Sequence, residues 1–309
     1  MLSRIAESLF WIGRYVERAD GTARILDVYL QLLLEDPWID EDTACRSLMS
    51  VMGHADDTGQ DLTRADVLTR LGYDRAFPES IAFAVASARE NARRAREIVS
   101  TELWECLNFT NAKLPKRVAV ERSHEFFRWV RERSALAIGI IESATTHDEA
   151  WQFFALGRAV ERADMTARLL ATRALTEASG PSWTTILRSC GAYEAYLRTY
   201  RGVPSTQNAA EFLLTHRLFP RSILFATSRA IEALKAIDPV SPGAGIPDEA
   251  QRLLGQMRSE LEFRSIADLL DDLPGNMENV QAVMSAASDE VRKKYFPTNA
   301  VPVWIGENS

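Results

Sequence analysis

The sequence is short of cysteine, histidine and β-strand signals, and each shortage removes a class of protein. Three cysteines, Cys45, Cys106 and Cys190, lie far apart in 309 residues with no Cys-x-x-Cys pair. That excludes a disulfide framework and a zinc ribbon, and it suits a reducing cytosol. Only four histidines are present (His54, His124, His147, His216), and neither a metal nor a cofactor is expected. Glu121-Arg122-Ser123-His124 has the Glu-x-x-His spacing of carboxylate-bridged di-iron bundles, but it has no second copy. Charged residues interrupt every apolar stretch before it reaches the ~20 residues of a membrane span. No basic segment followed by an apolar run opens the chain. No membrane association is therefore expected, and the expected compartment is the cytoplasm. A net charge of -7 argues against a nucleic-acid partner, which would call for a basic stripe. The one basic cluster, Arg89, Arg93, Arg94 and Arg96, reads as a solvated helix face. There is no Gly-x-Ser-x-Gly elbow and no phosphate-cradling Gly-Lys-Ser/Thr loop.

What remains is helical periodicity. From Ser3, a plausible N-cap, Ile5, Leu9, Ile12, Val16, Ala19, Ala23, Leu26 and Leu30 recur at spacings of three and four. This predicts a helix to about Leu34, ended by Glu35-Asp36-Pro37. Similar patterns predict helices near 42–53, 63–71, 79–107, 117–145, 147–178, 183–200, 206–216, 220–237, 248–271 and 276–295. Period-two alternation is lacking, so the expected fold class is all-α, a multi-helix bundle. Ser179-Gly180-Pro181 and residues 239–245 read as loops, the latter as the best candidate for a mobile segment. Residues 297–309 read as an extended tail.

The strongest pattern is an internal repeat. Residues 9–26, LFWIGRYVERADGTARIL, match residues 153–170, FFALGRAVERADMTARLL, at 12 of 18 positions without a gap. Two unrelated amphipathic helices would share leucine and alanine. They would not share Gly13/Gly157, Arg14/Arg158, Glu17/Glu161, Arg18/Arg162, Asp20/Asp164, Thr22/Thr166 and Arg24/Arg168. Phe77-Pro78-Glu79-Ser80 is matched by Phe219-Pro220-Arg221-Ser222, and the two offsets are 144 and 142. The repeat predicts two homologous, pseudo-symmetric halves, about 1–145 and 146–296, sharing one core in a single domain.

On a helical wheel Gly13, Glu17, Asp20 and Arg24 form a second stripe about 100° from the apolar one. Two readings of the repeated string stand. In one, the residues form a buried ion-pair network and the glycines let another helix approach. In the other, they line a cleft: Glu17 and Glu161 would act as acid and base. Arg14, Arg18, Asp20, Arg24, Arg158, Arg162, Asp164 and Arg168 would bind a peptide-like small molecule. The flanking Phe10, Trp11, Tyr15, Phe153 and Phe154 read as core.

The opening segment, Ser3-Arg4-Ile5-Ala6-Glu7-Ser8-Leu9-Phe10-Trp11-Ile12-Gly13-Arg14-Tyr15-Val16-Glu17-Arg18-Ala19-Asp20, resembles that of the bacterial alpha-E family, a helical domain named for a Glu-Arg motif. The resemblance covers the whole chain. It makes Glu17-Arg18 the motif pair and Glu161-Arg162 its internal copy, with Asp20 where a glutamate is the commoner residue. Members of that family occur beside, or fused to, ATP-grasp ligases and transglutaminase-like proteins. The resemblance therefore implies an accessory helical partner in peptide or amide-bond formation or modification. It implies no nucleotide site here. An enzyme acting on an amide or amine, and a structural assembly protein, are the alternatives.

Overall fold

The computed structural model describes residues 2–35, 38–54, 60–174, 182–239, 245 and 248–297. Among them every regular element is a helix. In chain order these are α1 (Ser3–Glu35), α2 (Glu41–Val51), α3 (Arg64–Val67, running into a π turn at Leu68–Tyr73), α4 (Ile81–Arg94), α5 (Thr101–Lys113), α6 (Ser123–Ala144) and α7 (Glu149–Ala171). Then come α8 (Trp183–Ser189), α9 (Tyr193–Tyr200), α10 (Thr206–Thr215), α11 (Ile223–Ile237), α12 (Glu249–Phe263), α13 (Ile266–Asp271) and α14 (Leu273–Tyr295).

Three segments that read as single helices are each broken in two. Ser100 and Ser265 start fresh helices by accepting the amides of Leu103 and Asp268 at 3.2 and 3.1 Å. These side-chain caps divide α4 from α5 and α12 from α13. Gly191 at φ +62° turns the chain between α8 and α9, a conformation that a β-carbon disfavours. The helices expected from about 79 and 220 start instead after the N-caps Ser80 and Ser222. Ser3 is helical rather than a cap, and its hydroxyl donates to the Tyr295 carbonyl, tying α1 to the end of α14. The loops at 179–181 and within 239–245, and the tail from 298, lie largely or wholly outside the described residues.

The centre of the molecule is the pair α1 and α7. α4 and α6 pack on α1, α11 and α14 on α7, while α5 bridges α4 to α6 and α12 bridges α11 to α14. α7 has 17 of its 23 residues buried, among them Glu161, Arg162 and Asp164. A helix so largely covered leaves little solvated face for its charges, so the buried ones must find protein partners.

Candidate functional site

Where α1 crosses α7, backbone meets backbone. A β-carbon at Gly13 would fall against the carbonyl oxygen of Phe154 and 2.9 Å from the amide nitrogen of Arg158. One at Gly157 would fall against the Phe10 carbonyl, with its carbon at 2.9 Å. The repeated glycines are thus the mutual contact of the two helices. Phe296, just after α14, rests beside this crossing with its ring 5.6 Å from Phe10 and 5.7 Å from Phe153.

One turn along, the charged residues interlock across the pair. Arg162 donates to both oxygens of Glu17, Nε to Oε1 at 2.8 Å and Nη2 to Oε2 at 2.6 Å. Arg18 in turn donates to both oxygens of Glu161, at 2.5 and 3.1 Å. Each glutamate takes a third hydrogen bond: Glu161 from Arg14 Nε at 2.6 Å, Glu17 from Arg221 Nη1 at 2.7 Å. Arg158, the counterpart of Arg14, stays 3.6 Å from Glu17 and donates to Glu142 at 2.7 Å.

The aspartates extend the network. Asp20 accepts from Arg24 at 2.8 Å and from Arg221 Nη2 at 2.6 Å. Asp164 accepts from Arg168 at 2.8 Å. Arg24 then donates to the Ser189 carbonyl, and Arg168 to the Val51 carbonyl. The threonines Thr22 and Thr166 donate to the carbonyls of Glu79 and Arg221, docking the two Phe-Pro segments against the lead helices. All ten residues singled out in the repeated string are therefore ion-paired, in three neighbouring sets: Glu17, Asp20, Arg24, Arg158 and Arg162 with Arg221, Glu161 with Arg14 and Arg18, and Asp164 with Arg168. Arg221 is the member that sequence reading missed. Its signal was the second repeat, where Glu79 and Arg221 hold matching positions with opposite charge; Glu79 turns instead to His54 at 2.7 Å.

Both glutamates are wholly buried. Burial alone would push their pKa values up, but the arginines overcome it. Arg162 and Arg221 hold Glu17 far below the usual carboxylate range, and Arg14 and Arg18 bring Glu161 down to about 2. At neutral pH both are anions with every oxygen engaged, the geometry of a clasp rather than of an acid–base pair. Burial, together with Arg221 and Arg158 nearby, outweighs Glu17 and keeps Arg162 below its ordinary value. Cations thus crowd on this side of α7.

The sequence matches a family model described as a predicted alpha-helical domain with a conserved ER motif, over residues 1–296. The chain belongs to the Alpha-E family. It is also similar to an uncharacterized protein of Mycobacterium bovis and to two of Mycobacterium tuberculosis. Each is 24% identical over 344 residues, covering 97% of this chain and 38% of the relative. The chain therefore spans well under half the length of these relatives. No solved structure matches it.

In this Alpha-E chain both Glu-Arg dipeptides of the repeated string are wired crosswise, each glutamate to the other helix's arginine. The backbone contacts of Gly13 with Phe154 and Arg158, and of Gly157 with Phe10, leave no cleft between the helices at that point. Open, arginine-lined space lies instead outside the pair: beside α1, in a cavity of about 560 Å³ walled by Arg4, Arg93, Arg94 and Arg96, and beside α7, in one of about 460 Å³ toward α11 and the end of α6, to which Arg158 and Arg162 contribute. The di-iron spacing is not realised: His124 pairs with Asp27 at 2.8 Å. Among the described residues no three His, Cys, Asp or Glu side chains converge as metal ligands. No described helix is long and apolar enough to cross a membrane.

Proposed function

We propose that this chain is a rigid helical partner of an ATP-grasp carboxylate–amine ligase, in a system with a transglutaminase-like protein that forms or modifies peptide-like amide bonds. It holds the ligase, or a peptide-like substrate presented to it. The observation that carries the partner reading is the length of the relatives. The matched region is 38% of each, so the unit works there beside a larger stretch of polypeptide. The ligase itself is drawn from the family resemblance. The competing reading, an amide- or amine-processing enzyme, asks Glu17 or Glu161 to exchange a proton, and their saturated, depressed carboxylates speak against it. A purely structural assembly protein would give the same clasp without a ligase.

The chain reads further as one domain, 1–309, built from two copies of one unit, about 1–145 and 146–296, with a tail from 297. An approximate two-fold axis would pass between α1 and α7. The reciprocal Glu–Arg pairs, the facing glycines and the matched packing of α4, α5, α6 and of α11, α12, α14 support it.

The test is co-expression with a neighbouring ATP-grasp ligase. Co-purification and an ATP-dependent amide-forming activity that falls when this chain is omitted are expected. A ligase that neither binds the chain nor changes rate in its presence overturns the proposal.

A further inference from the structure

The two lead helices carry the same charged string but differ sharply in what stands beside it. Trp11 and Tyr15 on α1 correspond to Ala155 and Ala159 on α7. On α1 the two rings stack at 5.3 Å, and Tyr15 meets Phe83 of α4 edge-on at 6.0 Å. They also cover the guanidinium groups, Arg14 lying 5.2 Å over Trp11 and Arg18 5.6 Å over Tyr15. On α7 the corresponding Arg158 and Arg162 have only two methyl groups at those positions. Phe225 of α11, the counterpart of Phe83, is still present.

Ala155 and Ala159, in the places of the two rings, line the 460 Å³ cavity. Its walls are of two kinds. Ala155, Ala159, Pro220, Phe225 and Ala226 make an apolar side. The charged groups facing it are Arg158, Arg162 and Arg229, against one carboxylate, Glu142, with the His147 ring beside them. Glu142 is paired with Arg158, and Arg229 is paired with Glu232 one turn along α11. His147 is stacked on Trp151 at 4.0 Å, and the Arg229 guanidinium lies 5.9 Å over the same indole. Arg162 lines the cavity while keeping its fork on Glu17, and its counterpart Arg18 lies over Tyr15 in the other copy. Guanidinium faces attract aromatic rings and guanidinium edges attract carboxylates, so a ligand carboxylate can take the place of the exposed Glu142 and Glu232 on Arg158 and Arg229, beside the apolar slot.

We infer that this pocket binds a small amphipathic carboxylate, an acid bearing an aryl or branched alkyl group. The apolar group occupies the slot beside Ala155 and Ala159, and the carboxylate meets Arg158 and Arg229. The inference stands on the cavity itself and does not require the ligase partnership.

The experiment titrates the full chain with 3-phenylpropionate by calorimetry and by indole NMR signals, beside 3-phenylpropanol and inorganic phosphate. Saturable binding of the acid is expected. The alcohol should bind at least about tenfold more weakly, since a hydrogen bond to a charged group contributes about 1.5–3 kcal/mol. Arg229→Gln should weaken the acid by a similar factor. The double variant Ala155→Trp with Ala159→Tyr should abolish binding by filling the slot, and Ala159→Leu is the milder filling variant if the double one does not fold. No saturation by the acid, equal binding of alcohol or phosphate, or undiminished binding by a folded filling variant each overturns the inference. A failure here leaves ligase co-purification untouched, and the reverse holds as well.

Discussion

Glu17 on α1 is gripped by Arg162 of α7, and Glu161, the residue before Arg162, is gripped by Arg18, the residue after Glu17. Two adjacent residues on each helix thus give and receive the same interaction. Because the acids are wholly buried, breaking one pair leaves an uncompensated charge in a low-dielectric interior. Glu161→Gln or Arg18→Met alone should each lower stability by about 3–5 kcal/mol. The double variant should cost clearly less than the sum. Urea unfolding of the four proteins measures the cycle, and strict additivity would show that the pair is not coupled.

The same clasp sets an acid limit. Glu161 is held at about 2 and Glu17 lower still, whereas an unfolded glutamate titrates near 4.3. A folded value below the unfolded one stabilises fully above the unfolded pKa, and the contribution is lost as pH falls toward the folded value. The gap in unfolding free energy between wild type and Glu161→Gln should be constant from pH 7 to about 5 and narrow from about pH 4 downward. A gap unchanged at pH 3 would contradict this.

Glycines separate contact from propensity. Gly13→Ala and Gly157→Ala push a methyl into the opposite backbone and should destabilise by at least about 1–3 kcal/mol, despite the better helix former. Gly139 in α6 and Gly255 in α12 have nothing within 4 Å of an added β-carbon, so alanine there should stabilise by about 0.5–1 kcal/mol. Thermal unfolding of the four variants gives the signs. The same sign at all four would dismiss the helix contact.

Arg221 joins α11 to the lead helix through two different acids, Glu17 and Asp20. A lysine ammonium is a single point of charge and does not span both as the guanidinium fork does. Arg221→Met should cost about 3 kcal/mol or more, and Arg221→Lys should recover only part of it. Amide exchange at the start of α11, around Ser222–Phe225, should quicken in both. Full recovery by lysine would show that charge alone matters.

Much of this was legible in the sequence. The stripe from Ile5 to Leu30 predicts α1 to within a residue or two. The identical polar string at 13–24 and 157–168 picks out the residues that meet inside. Other features were not legible. Ser100 and Ser265 give no sign, from periodicity alone, that they restart a helix. Glu17 and Glu161 look alike as acid–base groups and as clasp members, because only the number of donors around each oxygen distinguishes the two. Arg221 sits outside the string and reaches it through the fold.

The order of residues by itself determined the all-helical class and the repetition of the lead helix, since apolar spacing and side-chain identity are local properties of a chain. Tertiary structure alone decided that the two helices touch at Gly13 and Gly157, and that each glutamate takes the other helix's arginine. It also decided that open space lies beside α1 and α7 rather than between the pair. Those outcomes depend on which backbones come within a few ångströms of each other and on what packs beside the small Ala155 and Ala159.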